Sequence, residues 1–208
     1  MSQSQQLMDK LVREHIDRRA KDLERLYVQA RLIIAETWLE DREQLRVEFR
    51  NMKDANAEMQ KNHDERLVGL LDKATSEIDL IRNKNLYPLI GKANATRLEF
   101  RSSELLWELA SARGILSQTS QMKRNQDLSD ELKRKALAVA ERIENHPKAL
   151  FFTGFVRIDT GKVAEGIKTL EKYVALYPKH EHVPDALRII ADTRFDANQF
   201  GAAEEMYS

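Results

Sequence analysis

The sequence predicts an all-α fold, in which long coiled-coil-like helices or a helical hairpin are followed by an α-solenoid of paired helices. Three observations support this prediction. Gly and Pro together supply only 11 of the 208 residues, while 33% of the residues are charged, a composition typical of long helices. Apolar residues recur at helical spacing in the first third of the chain, and a pattern of small residues repeats near its C-terminus.

Residues 1–83 are predicted to form the long helical region. The apolar positions there follow each other at steps of four and three, as in a coiled coil. They are Ile16, Ala20, Leu23, Tyr27, Ala30 and Ile34. This pattern fades within residues 51–66, so we expect long helices with a break between residues 41 and 64, and the sequence leaves open whether they form one long rod or a hairpin. A helix with such a face must pair with its own chain or with another chain, and the N-terminal helices are therefore candidates for homo-oligomer formation.

Residues 84–126 are predicted to contain a hinge, one helix and a polar linker. Pro88 and Gly91 lie close together and interrupt any helix, so the hinge is placed there. A helix is expected over residues 94–118, and the polar residues 117–126 are expected to form the linker.

Residues 127–208 are predicted to form helical repeats, of which the last is incomplete. A short helix over 128–145, capped by Asp127 or Ser129, comes first. Gly154 and Gly166 then provide small residues where two antiparallel helices cross, with Gly161 in the turn between them. The same pattern returns 37 residues later. Its members are Ala191, Asn198, Ala203 and, in place of Leu170, Tyr207.

Leu170 and Tyr173 fill the space between the two helices, and Pro178 ends the second helix. With these residues, residues 147–207 resemble the tetratricopeptide repeat family. The resemblance implies that the first helix of each pair lines a concave groove, which binds a peptide or a helix of another protein. The candidate partner-binding residues are Phe151, Phe155, Ile158, Arg188, Asp192 and Phe195. The alternative is that the phenylalanines pack against the preceding helix. Because fewer than two repeats are present, we expect the natural array to continue beyond Ser208.

Residues 177–180, Tyr-Pro-Lys-His, are similar to inter-repeat segments of bacterial cell-envelope proteins. These include periplasmic partners of the Tol–Pal system and outer-membrane assembly lipoproteins. The resemblance favours the periplasm or cell envelope, although the first residues lack the features of a signal peptide and a cytoplasmic location stays open.

Composition argues against several other classes of protein. Lys plus Arg equals Asp plus Glu at 34 each, and no basic stripe of the kind that binds nucleic acid stands out. There is no cysteine, and no apolar run approaches the length of a membrane span. Glycine-rich phosphate loops and nucleophile elbows are also missing, so the sequence predicts a protein that is not an enzyme and needs no cofactor.

Three functional hypotheses follow from the sequence. The first is a non-enzymatic scaffold or adaptor of a bacterial cell-envelope complex, in which the repeats bind a partner and the coiled coil provides association. The second is a rod-like structural component of a filament or motility apparatus. The third is a metal-binding module that uses His180 and His182, although the loop lacks the spacing of known zinc sites, so no metal site is predicted.

Overall fold

The computed structural model describes residues 3–52, 54, 56–84, 86–120, 123–143 and 146–197. Within these ranges the protein is all-α, as predicted, with seven α-helices, one short 3₁₀ helix at Tyr87–Ile90 and no strand. The helices are α1 (Gln3–Arg50), α2 (Ala57–Asn83), α3 (Lys92–Ser120), α4 (Lys123–Ala140), α5 (Pro147–Asp159), α6 (Val163–Leu176) and α7 (Val183–Asp196). The chain forms two compact units, residues 1–98 and 99–208, and the boundary falls inside α3.

In the first unit, α1 and α2 form an antiparallel hairpin. The residues that contact each other have increasing numbers along α1 and decreasing numbers along α2 and its C-cap. These pairs are Tyr27 with Lys84, Arg31 with Glu77, Trp38 with Lys73 and Phe49 with His63. The turn between the helices falls inside the predicted interval of 41–64. Asn56 caps α2, because its side-chain oxygen accepts a hydrogen bond of 2.9 Å from the Met59 amide.

The hairpin has a narrow apolar core made from one face of each helix. From α1 it takes Val28, Ala35 and Leu45, and from α2 it takes Leu67, Val68, Leu71, Ala74, Ile78 and Ile81. On α2 most of these positions are three or four residues apart, and on α1 they are seven and ten residues apart, so they lie toward one side of each helix. The core begins at Val28, so no contact of this kind covers α1 between residues 10 and 26, which are exposed.

In the second unit, consecutive helices pack against each other in antiparallel order. The Ser129 hydroxyl of α4 donates a 2.6 Å hydrogen bond to the Ala110 carbonyl of α3. Further along the chain, ion pairs join α4 to α5 and α6 to α7. Lys133 of α4 pairs with Asp159 of α5 at 2.8 Å, and Glu171 of α6 pairs with Arg194 of α7 at 2.6 Å.

The start of α4 differs from the expectation. Residues 117–126, expected as a polar linker, are helical at 117–120 and again from Lys123 onward, and α4 ends at Ala140 rather than near 145. Ser129 lies inside α4 and is buried, so neither it nor Asp127 is a cap. The cause is tertiary: the hydroxyl of Ser129 is satisfied by a carbonyl of the neighbouring helix, a partner that local sequence does not reveal.

The predicted close crossing of α5 and α6 is confirmed. A methyl group added at Gly154 would lie 2.7 Å from the Leu170 side chain, and one at Gly166 would lie 2.8 Å from the Gly154 carbonyl oxygen. Gly161, in the turn, has a φ of 84°, which glycine adopts without steric cost. The helix pair therefore forms where the small residues were predicted to allow it.

The second repeat is described only in its first helix. Ala191, predicted to occupy the crossing position, is fully buried in α7. Asn198, Ala203 and Tyr207 lie outside the described residues. The paired-helix solenoid beyond α7 therefore stays a prediction.

Candidate functional site

The three candidate residues of α5 lie on one stripe of the helix and are half-buried. The Phe151 ring stacks on His182, with centroids 5.0 Å apart, and contacts Tyr173. The Phe155 ring meets Trp107 of α3 edge to face at 5.1 Å. Ile158 packs on the buried cluster around Leu170 and Tyr173. These three side chains thus present only part of their surface to a partner.

The alternative reading, in which the phenylalanines pack on the preceding helix, applies to them unequally. Phe155 contacts the cluster that contains Leu137 and Ala140 of α4, whereas Phe151 packs with α6 and the start of α7. The fully packed phenylalanine of this cluster is Phe152, which sequence reasoning did not select.

The three candidate residues of α7 are exposed. The Arg188 side chain is 67% exposed and lies 3.8 Å from the Asp185 carboxylate, an ion pair that solvent screens. Asp192 is exposed, and Phe195 keeps 56% of its surface in solvent. Arg188 and Phe195 are seven residues apart, so they share one side of the helix. Large exposed aromatic side chains mark binding surfaces better than exposed charges do, because burying them against a partner would stabilise the complex most.

The start of α5 is connected to the loop before α7. The Lys148 ammonium and the Glu181 carboxylate lie 2.8 Å apart. Their hydrogen bond raises the pKa of Lys148 and lowers the pKa of Glu181. Because both groups are exposed, this pair fixes the relative position of the loop more than it adds stability.

His180 and His182, considered as metal ligands, have protein partners instead. His180 Nδ1 is hydrogen-bonded to the Tyr173 hydroxyl at 2.7 Å, and His182 Nδ1 lies 3.2 Å from an Asp185 oxygen. Within the described part of the chain, no three side chains of the His, Cys, Asp and Glu types come together as a metal site would require.

The Tyr173 hydroxyl is expected to make unit 2 sensitive to alkali. Burial, with a smaller effect of the Glu181 and Asp185 charges, raises the pKa of Tyr173 above its ordinary value of 10.0, against the lowering effect of a backbone hydrogen bond from His182. The folded state therefore prefers the neutral phenol. Its contribution to stability is complete below about pH 10 and is lost as pH rises through the folded-state pKa.

We expect Tyr173→Phe to lower the free energy of unfolding by about 1 kcal/mol at neutral pH, because the hydrogen bond to His180 is lost. Above about pH 10 the difference between the two proteins should shrink, since only the wild type must bury an ionising group. Thermal unfolding followed by circular dichroism between about pH 8 and 11 measures both effects. An equal alkaline loss in both proteins would place the titrating group elsewhere.

A groove between α4, α5 and α6 was not anticipated. It encloses about 670 Å³, and Arg157 crosses it. The Arg157 guanidinium donates to the Thr169 hydroxyl and to the Glu141 carboxylate, both at 2.7 Å. Lys168 and Lys172 stand at its rim. The available signal was Arg157 itself, a charged residue between the apolar residues Val156 and Ile158 in the second half of α5.

Comparisons with known proteins do not assign the chain to a family. No protein-family model matches it, and no curated protein matches it significantly. The tetratricopeptide resemblance therefore stays a prediction from the sequence, while the α5–α6 crossing stands on its own geometry.

Among the described helices, none combines the length and the apolar character that crossing a membrane requires.

Proposed function

We propose that this protein is a non-enzymatic scaffold or adaptor, in which the α5–α7 face binds a peptide or helix of another protein and the N-terminal helices provide association. The observation that carries the proposal is that Phe195 and Arg188 are both exposed and lie two turns apart on one side of α7. An aromatic anchor beside a guanidinium is the composition that protein interfaces favour.

The half-buried rings of α5 support the same proposal. Phe151 and Phe155 are held by His182 and Trp107, so their orientations are set before any partner arrives. A rigid aromatic surface loses little conformational entropy on binding, which favours affinity. A bacterial cell-envelope complex is the setting that the sequence resemblance suggests.

The proposal predicts that Phe195→Ala weakens peptide binding about tenfold or more, because an interface anchor of this kind contributes more than about 1.4 kcal/mol. The probe is a peptide selected from a random display library on the full chain, labelled and titrated by fluorescence anisotropy. Leu176→Ala is the matched control, since Leu176 on α6 is also 56% exposed and belongs to none of the candidate positions.

The outcome that contradicts this proposal is equally direct. If Leu176→Ala weakens binding as much as Phe195→Ala does, or if Arg188→Ala and Phe195→Ala leave affinity unchanged, the α7 face does not bind the peptide. Failure of the library to give any binder to the full chain would count against a peptide-binding scaffold altogether.

The rod-like alternative draws on one observation, the length of α1. A continuous helix of 48 residues extends about 72 Å. A filament component should form polymers that grow with concentration and disappear when α1 is deleted. Analytical ultracentrifugation across a range of concentrations separates such polymers from the discrete oligomers of a scaffold.

A further inference from the structure

An apolar stripe runs along α1 on the side that faces away from α2. Its members are Val12, Ile16, Leu23, Leu26 and Ile33, which are between 53% and 67% exposed. At 3.6 residues per turn they lie about 120° to 160° around the helix from Val28, the first residue of the hairpin core. Packing of α1 on α2 therefore cannot cover this stripe.

The stripe differs in register from the seam predicted from the sequence. Tyr27, expected in that seam, is half-buried and forms cation–π contacts with Arg31 and with Lys84 at the end of α2. Leu26 and Ile33 point outward instead. Their spacing of seven residues, together with that of Ile16 and Leu23, keeps the heptad repeat that a helix partner recognises.

We infer that this stripe binds the same stripe of a second copy of the chain, in antiparallel orientation. Ile16 of one copy faces Ile33 of the other, and Leu23 faces Leu26. This inference rests on the association part of the proposed function and makes it specific. Four of the five stripe residues therefore meet another large apolar side chain, which fills two layers of the pairing from each side.

Arg19 decides between the two orientations. It lies within the stripe, between Ile16 and Leu23, and is exposed. A parallel pairing in register would place the two Arg19 guanidinium groups side by side, which like-charge repulsion opposes. In the antiparallel pairing Arg19 faces the exposed Ala30 of the second copy, whose small side chain leaves space for it.

In the antiparallel pairing, polar residues beside the stripe of one copy also lie next to polar residues of the other copy that can hydrogen-bond with them. The pairing brings His15 of one copy next to Glu36 of the other, and Asp22 next to Gln29. All four residues are exposed in the isolated chain. The carboxylates thus meet hydrogen-bond donors rather than other carboxylates.

The area is sufficient for a reversible dimer. Burial of each large stripe residue removes on the order of 100 Å² of apolar surface from water, which amounts to roughly 500 Å² per copy. With the flanking polar atoms, this approaches the lower end of the range of about 1,200–2,000 Å² for specific interfaces. The α2 helix lies on the opposite side of α1 and leaves the stripe accessible.

The absence of native cysteine allows the register to be tested by disulfide trapping. Ile16→Cys chains are mixed with size-tagged Ile33→Cys chains and oxidised at a concentration where the wild type self-associates. The expected product is the mixed dimer, at least about tenfold above either like pair. In the antiparallel pairing, two Ile16→Cys positions are about 25 Å apart along the axis. A disulfide requires Cα atoms within about 7 Å.

The matched control pairs Lys21→Cys with Ile33→Cys. Lys21 is exposed on the opposite side of α1 from the stripe, so the amount of disulfide formed in this mixture measures random collision. A mixed product no greater than this control, or an Ile16→Cys dimer with itself, overturns the inference. Because both isoleucines are exposed, the substitutions should leave the hairpin folded, which circular dichroism verifies.

Light scattering on the wild type separates the possible failures. A discrete dimer with a different disulfide pattern overturns the register and leaves the association part of the proposed function standing. A chain that stays monomeric up to about 100 µM overturns both. Peptide binding by α7 is read in a separate titration and is affected by neither result.

Discussion

Replacing Gly166 with alanine is expected to lower the stability of unit 2 by about 3 kcal/mol or more. The added methyl would lie 2.5 Å from Ile158 Cγ1, 2.8 Å from the Gly154 carbonyl oxygen and 2.9 Å from the Ile158 backbone nitrogen. A side chain can rotate away, whereas the two backbone atoms move only if α5 and α6 separate. Separation would expose the buried apolar cluster that contains Leu170 and Tyr173.

Gly69→Ala is the matched control for this substitution. Gly69 lies inside α2 with nothing within 4 Å of an added methyl, so alanine should raise stability by about 0.5–1 kcal/mol through its better helix propensity. Urea unfolding monitored by circular dichroism measures both variants. If Gly166→Ala unfolds within about 0.5 kcal/mol of the wild type, α5 and α6 do not approach as closely as the structure requires.

Leu71→Ala is expected to lower the stability of the hairpin by about 2–5 kcal/mol. Leu71 has no exposed surface, and α1 and α2 bury few large side chains between them. The cavity therefore removes a large share of a small core. Hydrogen exchange of the α2 amides should accelerate by at least about thirtyfold, provided that exchange proceeds through unfolding of the hairpin.

The control for Leu71 is Leu11→Ala, because Leu11 is 52% exposed on the same unit. Its effect on exchange in α2 should be close to zero, since no buried contact is lost. Comparable acceleration in both variants would mean that Leu71 does not lie in the hairpin core.

The predictable parts of the fold are those in which local chemistry determines conformation. The turn after α1 follows from the fading apolar pattern, and the α5–α6 crossing follows from Gly154 and Gly166. A glycine without a side chain permits close approach whatever lies around it. Such signals are contained in a few neighbouring residues and can be read from one sequence.

The candidate binding residues were predictable only in part. The resemblance to tetratricopeptide repeats selected the residues of α5 and α7, but the sequence did not show how much of Phe151 and Phe155 other aromatic rings cover. The Arg157 groove was missed for a related reason. Its partners are 12 and 16 residues away: Thr169 lies on α6, and Glu141 lies just after the end of α4.

The sequence by itself determined the all-α class, the presence of a heptad spacing in α1 but not its register, and the small residues at which α5 and α6 cross. These depend on helix propensity and spacing, which act over a few residues. Only the tertiary structure decided that Ser129 is buried inside α4 and that Leu26 and Ile33, rather than Tyr27, face outward from α1. Which side of a helix is buried depends on the surface that its neighbour presents, and residues distant in sequence form that surface.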